Sequence, residues 1–375
     1  MPPIDLLIPE LFASEGGIQI YSRTLIRALR RIRPEQPLRV FIRNDHRRHL
    51  PPDPTPGIAW HACRGSSLCL AATLLNAARC ARPRLLLSTH PNFAPLQWLH
   101  HRLTGAPSWC SAHGIDVWTL QPGPRRWALA RLQQLLPVSR FTADSLRQQL
   151  GVRCPELALL PNCFDPQRFS PGPRPAHLLR RYHLQPQQPL ILTLSRLSVH
   201  DRYKHIDALI DAMPALLRQW PDLRLLIAGS GDLRPSLEQQ ARQLGLEGSV
   251  LFSGRLDDQE LADHYRLASL FALPSEKEGF GIVFLEALGC GLPVLAGNRD
   301  GSVDPLADGR FGLLVDPRQP LAPPLSALLA GQGQDLWFQP QQLSGAVAEQ
   351  FGFDAYCQRL DHLLAALPAA AQALP

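Results

Sequence analysis

The sequence predicts an α/β protein of two doubly wound domains, each a parallel sheet covered by helices, with the two sheets facing across a cleft. Three observations carry this expectation. Short apolar runs alternate with segments of helical periodicity; the alternation breaks off in a stretch rich in proline and glutamine and then restarts; and the two halves of the chain differ in charge. Residues 1–185 hold 24 arginines against 10 acids, and the remainder holds 14 cations against 22 acids, which gives balances of +14 and −8. A chain of 375 residues also exceeds what one core usually supports. The expected boundaries are a first domain over 1–170, a linker over 171–189 and a second domain over 190–350. A final helix over 353–367 either finishes the second domain or crosses back onto the first.

In order, the run Ile4 to Ile8 reads as a strand buried on both faces, and Gly16-Gly17 leads into a helix with Ile18, Tyr21, Leu25, Leu29 and Ile32 on one side. Leu38 to Ile42, Leu85 to Ser88 and Ser108 to Ala112 are further strands. A helix over Trp127 to Leu135 precedes a strand over Leu136 to Ser139. The stretch from Pro166 to Pro189 has no sheet pattern. Strands then recur at Leu190 to Leu194, Leu223 to Ala228, Val250 to Phe252 and Leu270 to Leu273. Helices lie between them over His205 to Leu217, over Leu233 to Leu244 and up to Leu267, with another over Gly281 to Leu288.

Composition narrows the function classes. The chain is 45% apolar and 19% charged, close to a globular average apart from 37 prolines. MPPIDLLIPE has no basic leader and carries Asp5, so it does not read as a secretory signal, and the chain is expected to begin there. Apolar stretches such as Ser66 to Ala78 fall short of the roughly 20 residues of a spanning helix. Eight cysteines occur singly, with no CxxC pair and no zinc spacing, which fits a reducing cytoplasm. The two lysines, Lys204 and Lys277, stand in no GK[ST] motif, and GSGDLR after Ala228 lacks the third glycine of a dinucleotide fingerprint. No Asp-x-Asp pair is present for a diphosphate-bound divalent metal, and no metal or other cofactor is expected.

The chemistry-bearing residues gather where strands end. EGFGIVFLE, residues 278–286, follows a strand and opens a helix whose first N–H groups suit an anion, with Gly279 and Gly281 letting a phosphate approach the backbone. Glu278 stands before that helix and Glu286 in its second turn, so they should touch different parts of one ligand. The competing readings are a capping box, Ser275-x-x-Glu278, and a solvated Glu286. Arg196 and Lys204 put two cations in one strand-to-helix loop, as a diphosphate requires; a merely solvated loop is the alternative. In the first half, Gly16-Gly17 and His113-Gly114 also lie at strand ends, although a lone histidine is often only a satisfied polar residue.

The ordered set PELFASEGGIQIYSRTL, SAHGIDVW, LLPVSRFTADSL, LLPNCFDPQRFSP, LTLSRLSVHDRYKHIDALIDA, LLIAGSGD, VLFSGRL and PSEKEGFGIVFLEALGCGLPVLAG resembles the retaining GT-B glycosyltransferases of glycosyltransferase family 4 over nearly the whole chain. The two glutamates match that family's E-x7-E signature. The resemblance implies two Rossmann-like domains and metal-independent transfer of a hexose from a nucleotide diphosphate sugar, UDP- or GDP-linked, to a hydroxyl acceptor with retention of configuration. By matching positions, Arg196 and Lys204 would neutralise the leaving diphosphate beside the helix that starts near Gly281. Glu278, with the backbone of Gly279 and Phe280, would hold the donor sugar, Glu286 the ribose, and Ser253, Gly254 and Arg255 the base. His113 would lie beside the sugar, Gly16 and Gly17 would line the acceptor or phosphate side, and Asp116 is a candidate auxiliary.

Two departures from the family pattern stand out: RLSVHDRYK is longer than the usual RLxxxKG, and GNRDGSVDPL replaces a GGxxE stretch, with Asp304 where an acid is expected. The expected acceptor is a lipid-linked or surface-polysaccharide glycan, reached at the inner face of the cytoplasmic membrane through the basic half and Trp98, Trp118 and Trp127 near Arg102, Arg125 and Arg126. No nucleic-acid partner is expected. The alternatives are a nucleotide-sugar epimerase on the same fold, a transferase acting on a small soluble acceptor, and a binding module that has lost catalysis.

Overall fold

Runs such as IDLLI are apolar on both faces because both faces are covered by helices, and in the computed structural model, which describes residues 1–13, 16–52 and 55–367, all five of these residues are buried. The chain divides into two units, one of residues 1–162 together with those from 356 onward, the other of residues 163–355. Unit 1 runs β1 (Ile4–Ile8), α1 (Gly17–Ile32), β2 (Leu38–Ile42), β3 (Ile58–Ala62), α2 (Ser67–Cys80), β4 (Leu85–Ser88), α3 (Ala94–Thr104), β5 (Ser108–Ala112), α4 (Pro124–Leu129), β6 (Gln134–Pro137), α5 (Arg140–Leu150) and β7 (Glu156–Leu157). Among the described residues its strands form one parallel sheet in the order β3-β2-β1-β4-β5-β6-β7, so β1 and β4 flank the point where strand order reverses.

One acid interrupts β1. Asp5 is in register with Arg39 of β2 and accepts both Arg39 Nε at 2.6 Å and Nη2 at 2.8 Å, while Arg39 Nη1 donates to the carbonyl of Ala77. Burial nevertheless pushes the Asp5 carboxyl up to about 6, against the hydrogen bond and charge of Arg39.

The helix expected over Trp127 to Leu135 is shorter and earlier. α4 ends at Leu129, and β6 already begins at Gln134, paired with β5 from Trp109↔Gln134 to Ala112↔Pro137. Ser139, expected to end the strand, instead caps α5, its Oγ accepting the Thr142 N–H at 3.1 Å. The half-exposed edge strand β3 has no clean alternation and escaped the sequence reading, as did α2 and α3.

Unit 2 holds α6 (Ala176–Arg181), β8 (Leu190–Leu194), α7 (Ile206–Leu217), β9 (Arg224–Ala228), α8 (Arg234–Gln243), β10 (Val250–Gly254), α9 (Leu261–Leu267), β11 (Leu270–Leu273), α10 (Ile282–Gly289), β12 (Val294–Gly297), β13 (Leu313–Val315), α11 (Ala322–Leu329) and α12 (Pro340–Phe351). Its described strands form a parallel sheet in the order β10-β9-β8-β11-β12-β13. The Pro-rich stretch expected as a linker is bound into this unit. Arg174 donates to the carbonyls of Leu267, Pro186 and Gln188, and Arg181 of α6 forms a bidentate pair with Glu260 at 2.7 and 2.8 Å.

The last helix, α13 (Phe353–Ala365), belongs to unit 1 from Tyr356 onward. There Tyr356 meets the ring of Tyr21 edge to face, and Asp361 pairs with Arg33. No helix among the described residues is long and apolar enough to cross a membrane.

Candidate active site

In unit 2 the chain leaves β11 at Leu273, crosses a buried turn at Ser275, and enters α10 only at Ile282. The capping box considered for Ser275 and Glu278 therefore does not form. Ser275 Oγ instead donates to Asp300 Oδ2 at 3.2 Å and accepts the Lys277 N–H at 3.3 Å. Gly281 is the residue before the helix, at φ +83°, where a Cβ would be strained and would lie 2.5 Å from the Phe284 ring. No side chain caps α10; the Phe284 N–H donates to the Gly281 carbonyl at 3.1 Å, which leaves the N–H groups of Ile282 and Val283 for an anion. Phe280 is turned into the core against Phe351, which leaves only its backbone for a ligand.

Lys204 Nζ lies 3.3 Å from Glu278 Oε1, with the two side chains 15% and 17% exposed. The long loop RLSVHDRYK folds back to achieve this. Asp201, buried within it, accepts Arg196 Nε at 2.7 Å and Nη2 at 3.2 Å and the Tyr203 hydroxyl at 3.0 Å. Burial pushes the Asp201 carboxyl up, but the hydrogen bonds from Arg196 and Tyr203 outweigh it and hold the group below its ordinary range. Arg196 keeps a side chain 73% exposed despite this tether.

Glu286 is not the solvated helix residue that one reading allowed. It is 7% exposed and accepts the Tyr265 hydroxyl at 2.9 Å, and burial pushes its carboxyl up to about 7. The end of β10 bulges at Ser253, between Phe252 and Gly254, and the Gly254 carbonyl accepts both the Gly229 N–H and the Ser253 hydroxyl; Arg255 follows directly. The GSGD turn after β9 packs on the Arg196 loop, with Leu197 N–H donating to Ser230 O and Val199 N–H to Asp232.

In unit 1, Gly16 precedes α1 in an extended conformation with no side-chain cap, and Gly17 begins the helix; Glu15 beside them lies outside the described residues. His113 follows β5. Its Nε2–H donates to the Thr89 carbonyl at 3.0 Å, and Tyr21 of α1 packs against the ring at 4.7 Å. Asp116 accepts the backbone N–H groups of His113 and Gly114 at 2.8–3.2 Å, so its carboxylate shapes this turn.

Residues 15–168 match the model of Glycosyltransferase Family 4, and residues 178–332 match that of Glycosyl transferases group 1. The chain belongs to glycosyltransferase family 4. A GDP-mannose-dependent alpha-(1-6)-phosphatidylinositol monomannoside mannosyltransferase of Mycolicibacterium smegmatis is 36% identical over 220 residues, 55% of this chain and 56% of the relative. A D-inositol 3-phosphate glycosyltransferase of Xylanimonas cellulosilytica is 29% identical over 90% of this chain and 89% of its own length. The chain thus spans little more than half the length of the mannosyltransferase it matches. Among solved structures, sucrose-phosphate synthase from Thermosynechococcus elongatus superposes with a TM-score of 0.80 at 22% identity, covering 99% of this chain and 100% of that one. Anabaena HepE in complex with UDP and glucose reaches 0.76 at 20% identity, with 97% and 100% covered. The fold of this family-4 chain is that of the GT-B glycosyltransferases, with two Rossmann-like units.

Four polar residues of the family-4 frame escaped sequence reasoning. Asp201 and Asp300 could have been sought as acids in loops that already held candidate cations and glycines, but their partners are set by how the loops fold. Glu276 is met by Arg318 at 2.6 Å, His205 at 3.3 Å and Arg299 at 3.9 Å, side chains from three separate loops. His90 stands at the end of β4 as His113 does at the end of β5, a signal the strand-end argument could have used. Burial lowers its pKa and Asn92 N–H donates to its Nδ1 at 3.1 Å, while Asn92 Oδ1 in turn accepts Arg125.

Proposed function

We propose that this family-4 chain is a retaining, metal-independent hexosyltransferase that moves a hexose from a UDP- or GDP-linked donor to a hydroxyl of a lipid-linked or polysaccharide acceptor. The observation that carries this reading is the pairing of Lys204 with Glu278 beside the uncapped start of α10. Departure of a nucleoside diphosphate develops negative charge, and preplaced cations and N–H groups stabilise that charge without reorganising. Lys204, Arg196 and the first turn of α10 are assigned to the diphosphate, Glu278 and the backbone at Gly279 and Phe280 to the sugar hydroxyls, Glu286 to the ribose, and Ser253, Gly254 and Arg255 to the base. The developing sugar cation has oxocarbenium character, and the leaving phosphate takes the proton of the attacking hydroxyl on the same face. In unit 1, His113 is assigned to the sugar and Gly16 and Gly17 to the acceptor or phosphate side, with Asp116 holding the His113 turn.

A mannosyltransferase relative named for GDP-mannose and a like-folded structure holding UDP support a nucleotide donor and keep both bases in this reading. The relative's phosphatidylinositol acceptor supports a lipid-linked acceptor. Peripheral contact with an anionic membrane, at its cytoplasmic face, is supported by exposed Leu99 and Leu103 on α3 and by Trp127 on α4, which Arg131 covers at 4.1 Å and which meets Trp98 at 4.6 Å.

The test is incubation of the protein with UDP- and GDP-hexoses in the presence and absence of lipid acceptors, following glycosylated product and released nucleoside diphosphate. Transfer that survives EDTA is expected. Epimerised donor formed without any acceptor, or turnover confined to a small soluble acceptor, would replace this reading. Failure to float with anionic vesicles at low salt would remove the membrane contact.

A further inference from the structure

The segment Glu278-Gly279-Phe280-Gly281 contains two glycines and precedes its helix, so little in its own sequence fixes where Glu278 sits. The loop after β12 fixes it. Asp300 is 3% exposed and accepts the Glu278 N–H at 2.5 Å and the Ser275 hydroxyl at 3.2 Å on Oδ2, and the Ser302 N–H at 2.9 Å on Oδ1. In return, the Gly301 N–H donates to the Glu278 carbonyl at 2.9 Å. The backbone of Glu278 is thereby held on its N–H and on its C=O by two consecutive residues. The loops are pressed together so closely that a Cβ at Gly301 would lie 2.3 Å from the Gly279 carbonyl.

This is the stretch, GNRDGSVDPL, that departs from the family's GGxxE pattern. The acid of this stretch that holds Glu278 is Asp300, four residues before Asp304.

We propose that Asp300 is a positioning residue for donor-sugar recognition, acting through Glu278 and not by touching the ligand. The inference rests on the transferase reading, which places sugar hydroxyls on Glu278. With the Glu278 backbone tied to residues 300 and 301 and its carboxylate 3.3 Å from Lys204, the side chain keeps only its own torsions, and an acid so fixed loses little entropy when it binds hydroxyls. Three donors converge on Asp300 and no acceptor does, so a carboxylate suits the position better than an amide, whose NH2 would face one of the N–H groups. Burial raises the carboxyl to about 6, with the Glu278 charge adding to the shift and the N–H donors opposing it, and the group is therefore ionised at neutral pH.

The test is a double-mutant cycle on binding. Dissociation constants are measured for UDP, UDP-glucose, GDP and GDP-mannose with wild type, Asp300→Ala, Glu278→Ala and the double variant, alongside thermal melts. Loss of Asp300 should lower the ratio of nucleotide to nucleotide-sugar dissociation constants about tenfold, a coupling of ordinary size for residues in contact, while leaving nucleotide affinity within roughly threefold. In the Glu278→Ala background the same substitution should leave that ratio unchanged, and Asp300→Asn should restore part of it.

Equal weakening of nucleotide and nucleotide sugar, or an effect that persists without Glu278, would refute the positioning role. Should Asp300→Ala fail to melt cooperatively, Asp300→Asn and Asp300→Ser carry the same cycle. Wild type that binds none of the four ligands overturns the donor reading and this inference together. Wild type that binds them, with an Asp300→Ala ratio unchanged, overturns this inference alone.

Discussion

Lys204→Ala separates the proposed chemistry from mere structure. The ammonium lies 3.3 Å from Glu278 Oε1, and both side chains are mostly buried, so its removal strips a partly buried carboxylate of its cation. Two unit charges near 4 Å interact by about 4 kcal/mol at an effective dielectric of about 20. Partial exposure and relaxation reduce this, and a stability loss of about 1–3 kcal/mol is expected. Removing one preplaced group from a developing charge costs roughly 10²–10³ in kcat.

The stability loss should largely vanish in Lys204→Ala/Glu278→Gln, because no unpaired carboxylate remains, whereas the lost rate should not be recovered. Thermal melts and single-turnover transfer measure the two effects. A Lys204→Ala enzyme whose kcat stays within threefold of wild type would refute the assignment of Lys204 to the leaving diphosphate.

Three further outcomes are expected. Glu286 has a folded-state pKa near 7, above the ordinary carboxyl value, so its stabilising effect is complete below about 4.5 and lost as pH rises through 7. Glu286→Gln should therefore raise the melting temperature at pH 8 by an amount worth about 2–3 kcal/mol, do little at pH 4.5, and weaken nucleotide binding at both, as calorimetry would show. Gly281→Ala should destabilise unit 2 by about 1–3 kcal/mol and lower donor affinity, because it forces a side chain into a left-handed position against Phe284; denaturant melts and donor titration check both parts. Arg39→Met should cost about 3–5 kcal/mol by leaving Asp5 buried and unpaired, and Asp5→Leu/Arg39→Met should recover most of it in the same melts.

The strands were legible because burial on both faces writes an apolar run directly into the sequence, as in Leu190 to Leu194 and Leu270 to Leu273. Helices were legible where they were amphipathic, as in α1, and were missed where small and apolar residues blur the period, as in α2. Trp127 to Leu135 misled because only Leu129 of its leucines belongs to a helix, the end of α4, while Leu132 lies in the turn and Leu135 in β6. In the site, the loop positions of Glu278, Lys204 and His113 followed from strand ends alone. Their partners did not. Glu278 is held by Asp300, 22 residues away, and Arg196 by Asp201, and no periodicity encodes which loop meets which.

Among the described residues, three acids are buried deeply enough for their carboxyls to rise, and the way their oxygens are occupied distinguishes their work. Asp5 accepts a guanidinium donor of Arg39 on each oxygen, and Asp300 accepts two N–H groups and a hydroxyl across both of its oxygens. Glu286 accepts only the Tyr265 hydroxyl, on Oε2, although an ionised carboxylate has about four acceptor sites. A group at once buried, proton-retaining and under-satisfied lowers stability at neutral pH, and binding a pair of hydroxyls relieves that cost. Among the three acids, the one the fold satisfies least is the one that the proposed transferase reading assigns to the ribose.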